Sequence, residues 1–376
     1  MDHFTETTET GYGTNIMNSL KGIIVGFIFI LISIGLLWWN EGRSVDQANA
    51  LNDMKDKVIT LEDTKYNAQY NNKAILLQGI AKPLSKLEDV TFGLKSSGLV
   101  LHRIVEMYQW QETKESESKD KLGGGTETTT TYDYNKVWSK SQIRSSSFRH
   151  KQNHKNPGMV YASRSFSTDA SMGDYRLSKK IVNSFEASTQ IDDLSILSKK
   201  IDGIINHDSY LYKGDDPSDP QIGDLKIRFT YAAAGEYTIV GKLQNKNIVS
   251  YRTDNGKNFL FTRSGIVSAN QIFQEELDSN SLLAWLFRLV GLIVMFIGFT
   301  MILGPLSTIA NVIPMIGSIV EGATGIIALI ITLLLGSIVI GLAWLTSRPI
   351  MALAIIALGI IASVVISNMN NNNSSA

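Results

Sequence analysis

The sequence has no cysteine, which removes disulfide frameworks, thiolate zinc sites and cysteine nucleophiles in one step and leaves the redox compartment open. It also lacks long runs of one charge. No stretch of five or more Lys/Arg occurs, and phosphate backbones call for a concentrated basic face, so the pattern argues against a nucleic-acid partner. Catalytic signatures are missing as well. There is no His-Glu-x-x-His zinc helix, no Gly-x-Ser-x-Gly elbow, no phosphate loop and no dinucleotide glycine fingerprint. The densest glycine run, Gly123 to Gly125, reads as a hairpin linker rather than a phosphate cradle. No cofactor and no metal are expected.

Charge is absent in a second, more telling way. Between Gly22 and Trp39 there is no ionisable residue, and from Leu282 to Ser367 only Arg288, Glu321 and Arg348 interrupt the apolar run. The segment Asn40 to Ser281 holds 32 of the 35 Lys/Arg and 31 of the 35 Asp/Glu, an interspersed and nearly neutral balance that suits a water-exposed domain. The expected class is therefore an integral membrane α-helical protein with four spans in a 1+3 arrangement and a large α+β, β-rich soluble domain between spans 1 and 2.

Residues 1–19 are polar and Thr-rich and read as a disordered tail. Residues 20–39 form the first span, with Trp38 and Trp39 at the headgroup boundary and Arg43 just beyond. The bulky Leu37, Trp38 and Trp39 stand where a cleaved leader would carry small residues. Gly22 and Gly26 make a small-xxx-small pair able to seat a helix closely. Spans 282–303, 325–345 and 350–366 follow the domain, with Arg288 and Arg348 snorkelling to headgroups. Residues 304–324, broken by Pro305 and Pro314, are expected to lie in the interface or re-enter it. The Asn-rich residues 367–376 read as a second disordered tail. Four crossings put both termini on one membrane face and the domain on the other.

Within the domain, residues 40–281, the first span continues as an amphipathic helix toward Leu61. Strands are predicted at 74–80, 99–110, 126–138, 225–231, 236–243 and 259–262, with a mobile hairpin tip over 112–125 and one or two helices between Ser178 and His207. Gln271 to Asp278 reads as a short surface helix, and Ser279-Asn280-Ser281 as N-cap chemistry for the next span.

His150 and His154 stand four apart, a spacing that can present two imidazoles to a metal. Arg149, Lys151 and Lys155 would repel a divalent cation, so the cluster reads instead as a solvated loop or an anion and lipid-headgroup contact. Asp215, Asp216 and Asp219 lack calcium-loop spacing and read as an acidic turn. Tyr108, Trp110, Tyr134 and Trp138 form cross-strand pairs, and become a partner surface if they point outward. An enzyme would need His102, Glu106, His150 and His154 to converge in a pocket. A transporter would need a continuous polar file through spans that hold almost no ionisable groups.

Trp39-Asn-Glu-Gly-Arg43 after the first span, His102 to Thr113, Asn153-His-Lys-Asn-Pro157, Gly223 to Tyr231 and the pair Arg348-Pro349 resemble the transmembrane protein 43 (Luma) family, in order and spacing, from about Leu20 to Ile366. The resemblance implies a four-span protein with a lumenal domain in the endoplasmic reticulum and inner nuclear membrane, or a periplasmic domain on the inner membrane of a bacterium. It implies a non-enzymatic scaffold that organises membrane-protein complexes, with emerin and lamins as partners in animals and with self-association into an oligomer. It transfers no catalytic residue.

Overall fold

The computed structural model describes residues 2–194, 203–207, 209–345 and 349–373. The chain forms two compact units, one of Met1–Phe4, Ala50–Lys114 and Tyr132–Glu275, the other of Thr5–Asn49, Glu115–Thr131 and Glu276–Ala376.

The first unit is β-rich, and its two larger hydrophobic cores lie on its two main sheets. Strands Gly235–Gln244, Asn247–Val249, Tyr175–Leu177, Ala170–Met172 and Ala74–Pro83 pair in that order, and Ala74–Pro83 pairs back with Gly235–Gln244, so five strands close into a small barrel. Closure leaves no free edge among them. Leu77, Tyr175, Ile239 and Leu243 fill the barrel together with Phe185, which stacks on Tyr237 at 4.1 Å. The second sheet runs Asp2–Thr10, Thr126–Ser139, Val100–Asp120, Leu225–Ala232, Tyr210–Lys213, Ile204–His207. Strict alternation from Leu101 to Gln109 buries every second residue, and Leu101, Val105 and Met107 join Leu225, Ile227 and Phe229 in its core. A buried ion pair, Arg103 Nη1 to Asp89 Oδ2 at 2.8 Å, lies at the edge of that core, with Arg103 over the Phe92 ring.

In the second unit, helix α1 covers Tyr12–Lys57 up to its last turns, α3 is Ala269–Ala310, α4 is Pro314–Trp344 and α5 is Pro349–Asn373. The short α2, Lys179–Val182, belongs to the first unit. Three helices, α1, α3 and α4, are long and apolar enough to cross a membrane, and α5 adds a shorter apolar stretch, Leu353–Val365. The 1+3 arrangement around a β-rich domain is thus present. Helix α1, 46 residues long, extends roughly 69 Å at about 1.5 Å per residue, so its polar continuation beyond Trp39 is helical as expected.

The helices meet through small residues. A Cβ on Gly26 would lie 2.5 Å from the Gly298 carbonyl oxygen, and one on Gly298 would lie 2.8 Å from that of Gly26. The small-residue pair on α1 therefore seats α3 of the same chain. Ser33 Oγ donates to the Gly291 carbonyl at 2.8 Å two turns further on. Leu37, Met295, Val339, Ile340 and Trp344 form the central packed layer, and Ser363 Oγ donates to the Ile330 carbonyl at 3.3 Å between α5 and α4.

Several expectations are corrected. Residues 2–10 are a strand, not a tail, and Asp2 to Phe4 belong to the first compact unit. The Thr-rich composition that looked unstructured is competent for pairing because β-branched residues suit a pleated strand. The hairpin strand reaches Asp120, so the turn shrinks to Lys121–Gly125, where Gly123 and Gly124 adopt positive φ. That turn is tied down: Gly123 N donates to the Val312 carbonyl at 3.0 Å and Asn311 Nδ2 to Asp120 at 2.7 Å. Between Ser178 and His207 only α2 is helical among the described residues, Ile204–His207 is a strand, and 195–202 lie outside them.

Residues 271–281 are not a separate helix with a cap, because α3 begins at Ala269 and runs straight through. Residues 304–324 are helical except for a turn at 311–313. Helix α3 passes Pro305 to Ala310, with the Ser307 and Thr308 hydroxyls donating to the Gly304 carbonyl at 2.9 and 3.0 Å. Pro314 starts α4, a position where the missing N–H costs nothing. Glu321 is exposed on α4. The helix α5 runs to Asn373, so the Asn-rich end continues it rather than forming a tail. Arg348 lies outside the described residues.

Candidate functional site

Along one face of the strands Val100–Asp120 and Thr126–Ser139, opposite the core face, runs a row of aromatic side chains. Tyr108 and Trp138 pair at 5.1 Å, and Trp138 touches Tyr212 at 6.3 Å, with the Lys226 ammonium 4.3 Å from the Trp138 ring. Further along, Tyr134 is fully buried and stacks on His154 at 3.8 Å and 12°, while Trp110 meets the same imidazole edge-on at 4.8 Å. Tyr108, Trp110 and Trp138 are half-buried. All four sequence-predicted aromatics therefore share the face opposite the Leu101–Met107 core, in two groups, and Tyr134 there joins Tyr132 and Phe148 in a further small core with Trp110 packed against it.

The second group is a cage closed by a loop and by the N-terminal strand. His154, 1% exposed, has its Nδ1 2.7 Å from the His150 carbonyl and its Nε2 3.0 Å from an Asp2 carboxylate oxygen. Phe4 stacks on the His150 ring at 4.2 Å. The Tyr134 hydroxyl donates to Glu112 in a short contact and accepts from the His150 N–H at 2.9 Å, and the same Glu112 accepts from the Arg149 N–H at 2.6 Å. Burial first, and the bond to Glu112 second, push the Tyr134 phenol up to about 12. Asn156 fastens the loop from its far side, accepting from the Trp110 N–H at 2.7 Å and donating to the Trp110 carbonyl at 2.9 Å.

The two histidines therefore do not present a shared face to a metal, since both His154 nitrogens are engaged within the protein. No cluster of three or more metal-ligating residues exists among the described residues. Arg149, Lys151 and Lys155 remain exposed around a cavity of about 340 Å³ lined by Phe4 and residues 149–154, and it is the rigid underside, stacked on Tyr134 and Trp110, that holds this basic rim in place. His102 lies opposite Thr230 in the sheet and Glu106 is ion-paired with Arg228 on the next strand. Asp216 forms a plain turn, its side chain accepting from the Ser218 N–H at 2.8 Å.

A second polar constellation lies in the helical unit. Glu41, two residues past the paired tryptophans, is 1% exposed, and Arg288 on α3 is 7% exposed. Arg288 Nε donates to Glu41 Oε1 at 2.6 Å and Nη2 to Oε2 at 2.8 Å, and the Trp344 indole N–H of α4 closes on the same carboxylate. Trp285 and Trp344 face the guanidinium at 4.6 and 5.1 Å. Arg288 is thus bound inside the bundle and does not snorkel. Around it, Asn40 Nδ2 donates to the Ala284 carbonyl at 3.0 Å, and Arg43 links Asn280 and Asn40 at 3.2 and 3.3 Å. Trp38 and Trp39 are about half exposed, and Trp39 meets Phe287 at 5.7 Å. The signal for this constellation was present in the sequence as two ionisable residues beside apolar runs, but not as a pair.

A family model described as Transmembrane protein 43 matches residues 107–349. The chain is 27% identical over 373 residues to Transmembrane protein 43 of Homo sapiens, covering 96% of this chain and 92% of that protein. The corresponding protein of Mus musculus is 26% identical over 375 residues, covering 96% and 93%. The Drosophila melanogaster homolog is 24% identical over 347 residues, covering 89% and 91%. No solved structure matches.

Proposed function

The chain belongs to the transmembrane protein 43 family, and from that premise we propose that it is a multi-pass membrane scaffold whose extramembrane domain, lumenal or periplasmic, organises other membrane proteins. The observation that carries this reading is the loop of residues 149–155. Its underside is locked by Tyr134, Trp110, Phe4 and Asn156, while Arg149, Lys151 and Lys155 stand exposed on a rim. A cationic surface held rigid before binding loses little conformational entropy when it docks an acidic protein segment or anionic headgroups. The side chains beneath it serve that rigidity: Tyr134, Glu112, His154 and Asp2 are bonded to one another and to backbone. Self-association into an oligomer is part of the proposal.

The test is in-cell crosslinking of the full chain, purification in mild detergent and mass spectrometry. The proposal requires a stoichiometric partner or a self-crosslinked oligomer that is lost in the triple variant Arg149→Glu, Lys151→Glu, Lys155→Glu. A monomeric preparation with no crosslinked partner would overturn it.

A further inference from the structure

Two cavities in the helical unit share a wall. The more polar of the two, about 300 Å³, sets Glu41, Ser44, Asn280 and Arg288 in a largely apolar wall that includes Ala48 and Trp285. The other, about 290 Å³, is an apolar groove between α3, α4 and α5 that includes Leu292, Leu333, Ile355 and Leu358. Trp285 and Arg288 line both. We propose that together they bind one zwitterionic phospholipid, with its headgroup in the polar cavity and an acyl chain in the groove.

Depth supports this assignment. Glu41 follows directly on the charge-free run that ends at Trp39, and Trp38, Trp39 and Trp285 are 54%, 53% and 63% exposed, the aromatic belt expected where headgroups begin. The polar cavity therefore opens at headgroup level and the groove leads from it into the apolar bundle. Donor arithmetic selects a phosphate. A guanidinium has five N–H donors, and Glu41 takes one from Nε and one from Nη2, which leaves three on a residue that lines both cavities to meet an anionic oxygen.

Charge selects the zwitterion. Glu41 already neutralises Arg288, so an anionic lipid would leave a net negative charge in a largely buried site. A choline or ethanolamine group brings its own compensating cation, and the Trp285 face and the Glu41 carboxylate are suited to receive it. Beside the groove α4 and α5 approach closely, since a Cβ on Gly359 would clash with the Ser337 hydroxyl.

The test uses the full chain, purified, delipidated in detergent and titrated with mixed micelles of phosphatidylcholine, phosphatidylethanolamine or phosphatidylglycerol. Native mass spectrometry and the thermal midpoint are the readouts. The zwitterionic lipids are expected to bind one per chain, to raise the midpoint, and to be preferred over phosphatidylglycerol by about tenfold, which is about 1.4 kcal/mol. Soluble phosphocholine, which has the headgroup chemistry without chains, is expected to bind far more weakly. Ala48→Phe fills the polar cavity and Ala362→Phe the groove, from different helices and with Glu41 and Arg288 both kept. Each variant that remains monodisperse and helical is expected to lose the bound lipid. Equal retention of phosphatidylglycerol, phosphocholine as effective as the lipid, or undiminished binding in a folded variant would overturn the proposal.

Discussion

Arg288 and Glu41, 247 residues apart, meet side-on in the helical unit with guanidinium nitrogens 2.6 and 2.8 Å from the two carboxylate oxygens. Each is buried to more than nine-tenths, so each depends on the other for its charge. Arg288→Met alone strands a buried carboxylate, and Glu41→Gln alone leaves the guanidinium short of its counter-charge. Either change is expected to destabilise the protein in detergent by about 3–5 kcal/mol, while the double variant recovers most of the loss. A thermal or denaturant midpoint for the four proteins of this cycle checks it. Harmless single variants would mean that Arg288 reaches headgroups on its own.

The crossing of α1 and α3 makes a sharper steric prediction. Gly26→Val places carbon within 2.5 Å of the Gly298 backbone oxygen, whereas a Cβ on Gly22 finds its nearest atom, the Met301 oxygen, at 3.6 Å. Gly26→Val is therefore expected to cost about 1–3 kcal/mol through overpacking. Gly22→Ala is expected to be tolerated. Detergent unfolding curves for the two variants decide it, and equal effects would argue against the close crossing.

Tyr134 carries a pH signature. Its phenol is held up to about 12 against an ordinary value of 10.0. Below pH 10 the folded and unfolded chains both keep the proton, and the cage retains its full stability. As pH rises from 10 through about 12 the unfolded chain gives up a proton that the folded chain still holds, so folding is progressively disfavoured. Burial also raises Tyr175, Tyr212 and Tyr237, so Tyr134→Phe is expected to reduce the alkaline loss of stability, not to abolish it. Chemical unfolding at pH 9 to 11.5 for the two proteins gives the comparison, and superimposable pH profiles would contradict it.

The apolar runs announced α1, α3, α4 and α5, because nothing but burial in lipid or protein explains the stretch 22–39 or most of 282–367 without charge. Alternation likewise announced the strands expected at 99–110 and 225–231, where each second residue from Leu101 to Gln109 and from Leu225 to Phe229 is buried. What could not be read was anything that depends on a distant partner. Glu41 sits just outside an apolar run and Arg288 just inside another, so each had an innocent explanation alone. The segment 304–313 looked broken because Pro305 normally interrupts a helix; local hydroxyl bonds to Gly304 sit at that turn. The residues of the cage were visible as types, yet Phe4 and Asp2 were invisible as members because a Thr-rich segment with no periodicity gives no sign of the strand it will pair with.

That N-terminal strand supplies the last prediction. The His3 ring donates to the Asp133 carboxylate at 2.7 Å, and Asp2 accepts from His154, all within the domain's unit. Since the protein has no cysteine of its own, single cysteines report accessibility without background. His3→Cys and Lys151→Cys, both at exposed positions, are expected to react with a membrane-impermeant maleimide from the same side of a sealed vesicle. If residues 1–19 were instead a tail across the bilayer from the domain, His3→Cys would be labelled only from the other side. A further variant separates order from location: Phe4→Ala removes the ring stacked on His150 at 4.2 Å and is expected to speed amide exchange in residues 2–10 and 149–154 together, because strand and loop close the same cage. Faster exchange in the strand alone would show that the loop holds its shape without it, and that the basic rim owes its rigidity to Tyr134, Trp110 and Asn156 only.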